Sequence, residues 1–263
     1  MKKLFVLMVL ATIVLSGCNK DKITNLDQKM IGKWILAETN GKPTPTNNKS
    51  VITFTSPTKG YRCASFNEYA GTELETLWND RQEFDYTIEG NVVTITMMVN
   101  DHLTVSQEIS VRSITDSEAR GDLKVSWIVD GTVIRTMEES IRIVKVTDDY
   151  SAAVIGIWEC TELTGIETYN DTNARLEFFA DGTYNYWKKN AAGEWEIVPN
   201  REFQKYFVDG TLLATCWKNV GENELREWWE IASIANNQMQ WTALRQNEDG
   251  TTVQQGMRWV KVN

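Results

Sequence analysis

The chain has 263 residues and a globular composition, with 42% hydrophobic residues, 24% charged residues and four prolines. This length suits one large β domain or two domains of about 110 residues, and either can bury its own core. The formal net charge of −9 excludes nucleic acid as a partner, because the chain lacks the positive potential that draws proteins to phosphates.

The first 17 residues have the pattern of a secretory signal peptide. Lys2 and Lys3 precede an apolar run, 4–15, that is too short to span a bilayer comfortably. The run ends in LSGC at Cys18, which resembles the lipobox of bacterial lipoproteins. This resemblance implies cleavage before Cys18, acylation of that cysteine and, with Asn19 after it, an outer-membrane destination. The alternative is an ordinary signal peptide followed by a chance cysteine.

Residues 18–30 are predicted to be the lipidated cysteine and a polar tether. The segment 19–29 carries no apolar periodicity, so it predicts neither a helix nor a strand. Several acyl chains on one cysteine anchor a protein stably, so the chain is expected to sit on a membrane without crossing it.

The rest of the chain contains an internal repeat. The sequence IGKW at 31–34 returns as IGIW at 155–158, and RIVKV at 142–146 returns as RWVKV at 258–262. Matches that keep their order at both ends of two units indicate a tandem duplication.

The repeat predicts two domains, one at 31–146 and one at 155–263. Between them, 147–154 is short and polar, as expected of a linker.

Both units carry the signals of strands and tight turns, and only 68–78 suggests a short helix. The turn dipeptides are Asn40-Gly41, Asp130-Gly131, Asp181-Gly182, Asp209-Gly210 and Asp249-Gly250. Such dipeptides favour hairpins because they accept positive φ angles. About eight strands per unit, with closure to remove exposed edges, predict an all-β protein of two tandem small antiparallel up-and-down β-barrels.

Each unit has a Gly-x-Trp on its first strand and an arginine on its last. The pairs are Trp34 with Arg142 and Trp158 with Arg258. This arrangement is similar to the lipocalin and wider calycin pattern, and with the lipobox the chain resembles bacterial lipocalin-like lipoproteins with two tandem domains. The resemblance implies that each tryptophan closes one barrel end and that the arginine lies across it. Alternation agrees if Lys145 faces water.

The resemblance leaves the ligand-binding property of the family open. Both units are shorter than a full-length lipocalin, and a small eight-stranded barrel is either filled by its own side chains or holds one small ligand.

Residues that carry catalytic chemistry are scarce, so no catalytic residue, metal or cofactor is predicted, and the chain is not expected to be an enzyme. His102 is the single histidine and is read as a surface turn residue. Glu227 shares a strand face with apolar residues, so it either points inward with a raised pKa or turns to solvent. Cys160 and Cys216 are either a disulfide pair or free buried thiols.

Tryptophan is concentrated in the second unit, which holds eight of the eleven. Alternation places Trp229 and Trp241 inward, either as core or as the walls of a cavity, and Trp228 outward. Trp259 and Ile143 are predicted to be exterior together with the lysines of the last strands.

Three functions are compatible with these features. The first is a non-catalytic envelope lipoprotein that binds a small apolar or aromatic ligand through Trp229, Trp241 and Glu227. The second is a protein-interaction module of an envelope assembly with filled barrels, and the third and weakest is a carboxylate-dependent hydrolase. A cavity of about 300 Å³ or more would distinguish the first from the second.

Overall fold

The structure is a computed structural model that describes residues 22–64, 67–70, 73–76, 78, 80–166 and 172–262. The predictions for the signal segment and for Cys18 lie outside these residues. Within the described ranges, no helix is both long enough and apolar enough to cross a membrane.

Its described residues give the first unit a helix, a short 3-10 turn at Thr46–Asn48 and eleven strands. They are α1 (Leu26–Met30), β1 (Gly32–Thr39), β2 (Lys42–Pro43), β3 (Val51–Ser56), β4 (Lys59–Ala64), β5 (Asn67–Ala70), β6 (Glu73–Thr76), β7 (Asp80–Glu89), β8 (Val92–Met98), β9 (Leu103–Ile114), β10 (Glu118–Val129) and β11 (Thr132–Val146). The strands pair in the order β11-β10-β9-β8-β7-β4-β3-β1-β2, and β1 also pairs with β11. This last pairing closes an antiparallel eight-stranded barrel. The short helix expected at 68–78 is wrong, because β5 and β6 form a hairpin there.

The second unit forms one nine-stranded antiparallel sheet. Its strands are β12 (Gly156–Thr164), β13 (Arg175–Phe178), β14 (Tyr184–Lys189), β15 (Trp195–Ile197), β16 (Arg201–Asp209), β17 (Leu212–Asn219), β18 (Glu224–Ala235), β19 (Gln238–Gln246) and β20 (Thr252–Val262). They pair in the order β15-β14-β13-β12-β20-β19-β18-β17-β16. The prediction of an all-β chain with two antiparallel domains is therefore confirmed.

The second sheet curls into a half-barrel instead of closing completely. Its two edges meet at one isolated bridge between Thr183 and Lys205, reinforced by a 2.7 Å hydrogen bond from the Tyr206 N–H to the Gly182 carbonyl. Beyond that point β14 pairs with β15 and not with β16. The expectation of a second fully closed barrel is corrected accordingly.

The segment before the first barrel is folded and is not the free tether that the sequence suggested up to residue 30. Leu26 and Met30 are buried in the core of the barrel. The Trp34 indole donates a 2.7 Å hydrogen bond to the Met30 carbonyl. Helix α1 thus plugs one end of the barrel.

The second unit repeats this plug within the segment that was expected to be a linker. Val154 is fully buried, and the Trp158 indole donates a 2.6 Å hydrogen bond to its carbonyl. The repeat therefore begins four residues before each tryptophan, and the linker prediction is wrong at Val154.

A lysine, and not the predicted arginine, covers each closing tryptophan. The ammonium of Lys145 lies 5.2 Å from the Trp34 ring centroid, and that of Lys261 lies 5.1 Å from the Trp158 ring centroid. Gly156 takes φ 123°, and a Cβ added there would lie 2.8 Å from the Lys261 side chain. Glycine is therefore required beneath the lysine.

The arginines lie outside the barrels in ion pairs. Arg142 bonds Glu38 at 2.7 Å, and Arg258, with 61% of its side chain exposed, bonds Glu162 at 3.0 Å. The assignment of Arg142 and Arg258 to barrel closure is corrected by these contacts. Because Arg258 faces outward, its neighbour Trp259 faces the interior, where it is only 2% exposed. The expectation of an exterior Trp259 is therefore wrong.

Beyond Arg142, the outward face of β11 is apolar and packs against the second unit. Val144 and Val146 contact a small buried cluster formed by Ile35, Val51 and Leu212. Leu212 belongs to β17, so the cluster joins the two units.

A buried ion pair lies beside this cluster. The Lys33 ammonium is 2.5 Å from Asp209 and 3.1 Å from Asp149. Burial raises the pKa of Asp209, and Lys33 opposes this rise. Apolar contacts and an ion pair thus join the two units. The ion pair is shielded from water because the units pack together.

Candidate functional site

The second unit encloses a cavity of about 450 Å³ that is partly open to solvent. Its walls are mostly apolar and aromatic, and they come from strands on both sides of the curled sheet. The lining residues are Leu163, Ile166, Ala174, Leu176, Tyr184, Tyr186, Arg201, Thr215, Trp217, Leu225, Arg226, Glu227, Trp229, Trp241, Gln255, Met257 and Trp259.

Three neighbouring indoles, tilted against one another, form one wall of the cavity. The Trp241 ring centroid lies 5.8 Å from that of Trp229 and 4.8 Å from that of Trp259. Trp229 and Trp241 therefore face inward, as alternation along β18 and β19 predicts. Trp228 follows the same alternation onto the opposite face, where it is half-buried.

Glu227 also faces the cavity. Its carboxylate lies 3.3 Å from the Arg245 guanidinium, and 44% of its side chain is exposed, which places it on the open side of the wall. Desolvation by the surrounding walls raises the pKa of Glu227, and the charge of Arg245 opposes this rise. The same desolvation lowers the pKa of Arg245. Glu227 and Arg245 thus form a partly buried pair with little net charge.

Arg201 is a wall residue that alternation did not identify. It opens β16, and a bulge between Arg201 and Phe203 interrupts the alternation there. The guanidinium lies 6.0 Å from the Tyr186 ring centroid and 5.7 Å from that of Trp217. Its Nε and Nη1 atoms are buried and have no hydrogen-bond acceptor among the described residues.

The other chemistry-bearing residues lie apart from the cavity. His102 is exposed beside Asp130, at 2.9 Å, as predicted for a surface turn. Cys160 and Cys216 are buried and are not joined in a disulfide, and burial raises the pKa of Cys216 to about 12. In the part of the chain that the structure describes, no cluster of three or more His, Cys, Asp or Glu side chains is placed to hold a metal ion.

No protein-family profile and no curated protein matches this chain. Among solved structures, one match is a crystal structure of a double mutant of the vaccine antigen transferrin binding protein B (TbpB) from Haemophilus parasuis Hp5. The two share 9% sequence identity at a TM-score of 0.22, over 81% of this chain and 52% of that one. The chain thus spans about half the length of this protein, and the fold above rests on its own strand pairing.

Proposed function

We propose that this protein is a non-catalytic, lipid-anchored protein of the cell envelope that binds a small apolar or aromatic molecule in its second β unit. The observation that supports binding is the cavity of about 450 Å³. Small-molecule sites have volumes of about 300–1,000 Å³ and apolar walls with a few polar groups. The indole wall with Glu227 and Arg201 has this composition.

A second candidate function is contact with a protein partner through the first barrel. Met98 and Val133 are 73% and 56% exposed. Met98 is paired with Thr104, Thr104 with Ile128, and Ile128 with Val133 on successive strands. Met98 and Val133 therefore lie at the same end of the sheet. Exposed apolar side chains that gather at one place favour a contact surface.

The binding proposal predicts saturable uptake of a neutral apolar probe, phenylnaphthylamine. We expect its fluorescence to rise on binding to the full-length protein, while tryptophan emission falls because the indoles line the cavity. Leu163→Trp should weaken this binding, since Leu163 lines the cavity and a larger side chain would occupy its volume. Fluorescence titration measures both effects.

The matched control is Leu36→Trp, which introduces the same change at a partly buried leucine of the first barrel. Phenylnaphthylamine affinity should remain at the wild-type level in this variant. Circular dichroism should show that both variants are folded. Equal affinity in the wild type and in Leu163→Trp would contradict ligand binding in this cavity.

The anchor proposal rests on the LSGC sequence that ends at Cys18. Cys18→Ala should move the protein from the membrane fraction to the soluble fraction, because several acyl chains hold a protein on a bilayer and none would be attached. Cell fractionation with immunodetection measures this, and Cys63→Ala is the matched control that should stay in the membrane fraction. Retention of Cys18→Ala on the membrane would refute the lipid anchor.

A further inference from the structure

We propose that Arg201 binds an oxyanion, such as a carboxylate or sulfonate, so that the second unit takes an apolar or aromatic ligand with one anionic group. This inference rests on the proposed ligand-binding function and specifies its chemical class. Three observations carry it: the unsatisfied guanidinium, the pairing of the neighbouring charges, and the position of Arg201 at the gap in the sheet.

The guanidinium of Arg201 lies near two aromatic rings. The ring centroids of Tyr186 and Trp217 are 6.0 and 5.7 Å from it. Its buried Nε and Nη1 atoms have no acceptor in the described part of the chain. A buried donor without an acceptor costs free energy, and an ionised one costs more. A ligand oxyanion on the Nε–Nη2 edge or on the Nη1–Nη2 edge of the guanidinium would supply an acceptor to one of these two donors.

The neighbouring arginine on the inner face differs from Arg201 because it already has a carboxylate. Arg245 lies 3.3 Å from Glu227. Arg226 bonds Glu224 at 2.6 Å, and alternation puts its side chain with that of Trp228 on the opposite face of the strand. Among the described residues, Arg201 therefore brings to the cavity a positive charge that is not matched by a carboxylate. This asymmetry selects an anion over a neutral or cationic ligand.

Two further donors in the wall also suit a ligand rich in acceptor oxygens. The indole Nε1 atoms of Trp241 and Trp259 are buried and have no acceptor among the described residues. Both side chains line the cavity. An oxygen-bearing ligand would satisfy donors that otherwise remain without partners.

Arg201 also lies where the sheet is open. Thr183, just before β14, and Lys205 of β16 form an isolated backbone bridge, and continuing that antiparallel register would place Arg201 opposite Trp187. The two strands do not pair there. A ligand that enters by its apolar end would therefore keep its anionic group near this gap and its apolar part against the indoles.

Two probes with the same aromatic skeleton test this inference on the full-length protein. Anilinonaphthalene sulfonate carries one negative charge, and phenylnaphthylamine lacks the sulfonate. We expect wild type to bind the sulfonate more tightly. Arg201→Gln should weaken sulfonate binding roughly tenfold to a hundredfold, the range for a hydrogen bond to a charged group, and should weaken phenylnaphthylamine binding much less. Arg201→Lys should retain part of the preference, because the charge remains without the planar fork.

Arg258→Gln is the matched control, since Arg258 is exposed and paired on the outer face. It should leave both affinities unchanged. Thermal unfolding without probe supplies a further readout. Arg201→Gln should keep or raise the melting temperature, because it removes an unmatched charge that is partly buried, whereas replacing an arginine that only stabilises the fold would lower it.

The outcomes separate the inference from the proposed function. Binding of both probes with equal affinity, unaffected by Arg201→Gln, would overturn the anion site and leave the ligand cavity standing. If Arg201→Gln loses affinity for both probes equally and also has a lower melting temperature, Arg201 has a structural role and the anion site is overturned. Failure of wild type to bind either probe would overturn both proposals.

Discussion

Lys33→Met is expected to lower the free energy of unfolding by about 3–5 kcal/mol, because it leaves a buried carboxylate without its partner. Asp209 is 5% exposed and contacts the Lys33 ammonium at 2.5 Å. Methionine keeps the length of the side chain and removes the charge. Chemical denaturation monitored by circular dichroism measures the loss.

Acid should partly restore the stability of Lys33→Met. Burial already holds the pKa of Asp209 above its ordinary value of 3.8, and removing Lys33 removes the charge that opposes this rise. A carboxyl with a raised pKa binds protons more tightly in the folded state, so its contribution to stability falls as the pH rises above 3.8 through the folded pKa. The difference between variant and wild type should therefore be smaller at acidic pH than at neutral pH.

Lys59→Met is the matched control for this prediction. Lys59 contacts Asp85 at 2.7 Å, but the two side chains are 68% and 79% exposed. Exposed ion pairs contribute little to stability, so this variant should unfold almost as wild type does. A double variant, Lys33→Met with Asp209→Asn, should recover part of the loss, because an amide does not carry the buried charge. Equal losses for Lys33→Met and Lys59→Met would contradict a buried pair between the units.

The fold class was predictable because strand signals and the repeat are local or periodic features of the sequence. Turn dipeptides such as Asp130-Gly131 do mark hairpins, and Asp130 takes φ 48° there. The motifs IGKW and RIVKV do mark the first and last strands of the barrel, and these strands, β1 and β11, pair with each other. Neither feature shows whether the sheet edges meet along their whole length, because closure depends on contacts between strands far apart in sequence.

The face of the last strands was not predictable from alternation alone. On β11, Ile141 and Ile143 face the core and Val144 and Val146 face the second unit, so both faces are apolar. The prediction that Arg142 faces inward therefore depended on Lys145 facing water. A lysine can bury its methylene stem and keep its ammonium near solvent, and here it covers Trp34 in that way.

The end plugs were hidden by their polar surroundings. Residues 19–29 are mainly polar, and two apolar side chains, Leu26 and Met30, provide the buried contacts of helix α1. The sequence does carry a signal for these plugs, since Met30 and Val154 each precede the closing tryptophan by four residues. Finding it requires that the two repeats be compared upstream of the Gly-x-Trp.

The candidate site was predictable where a strand is regular. Along β18, regular alternation places Trp229 and Glu227 at the cavity. At the start of β16 a bulge breaks the alternation, so the face of Arg201 could not be assigned from the sequence. The missing acceptor of its guanidinium is a property of the folded structure only.

Trp229→Ala is expected to lower the free energy of unfolding by about 3–5 kcal/mol and to weaken phenylnaphthylamine binding. Trp229 is 3% exposed, packs against Trp241 with ring centroids 5.8 Å apart, and has the Arg245 guanidinium 4.7 Å from its ring centroid. Its removal therefore leaves a void in the core and also removes part of the cavity wall. Chemical denaturation and fluorescence titration measure the two losses separately.

Trp228→Ala is the control on the neighbouring residue of the same strand. Trp228 is half-buried on the face opposite the cavity, so its loss should lower stability less and leave phenylnaphthylamine affinity unchanged. The comparison separates a wall residue from a residue that acts through overall stability, because a general weakening of the unit would reduce binding in both variants. If Trp229→Ala unfolds readily but binds the probe as tightly as wild type at a temperature where both are folded, Trp229 is core and the ligand contacts another part of the wall.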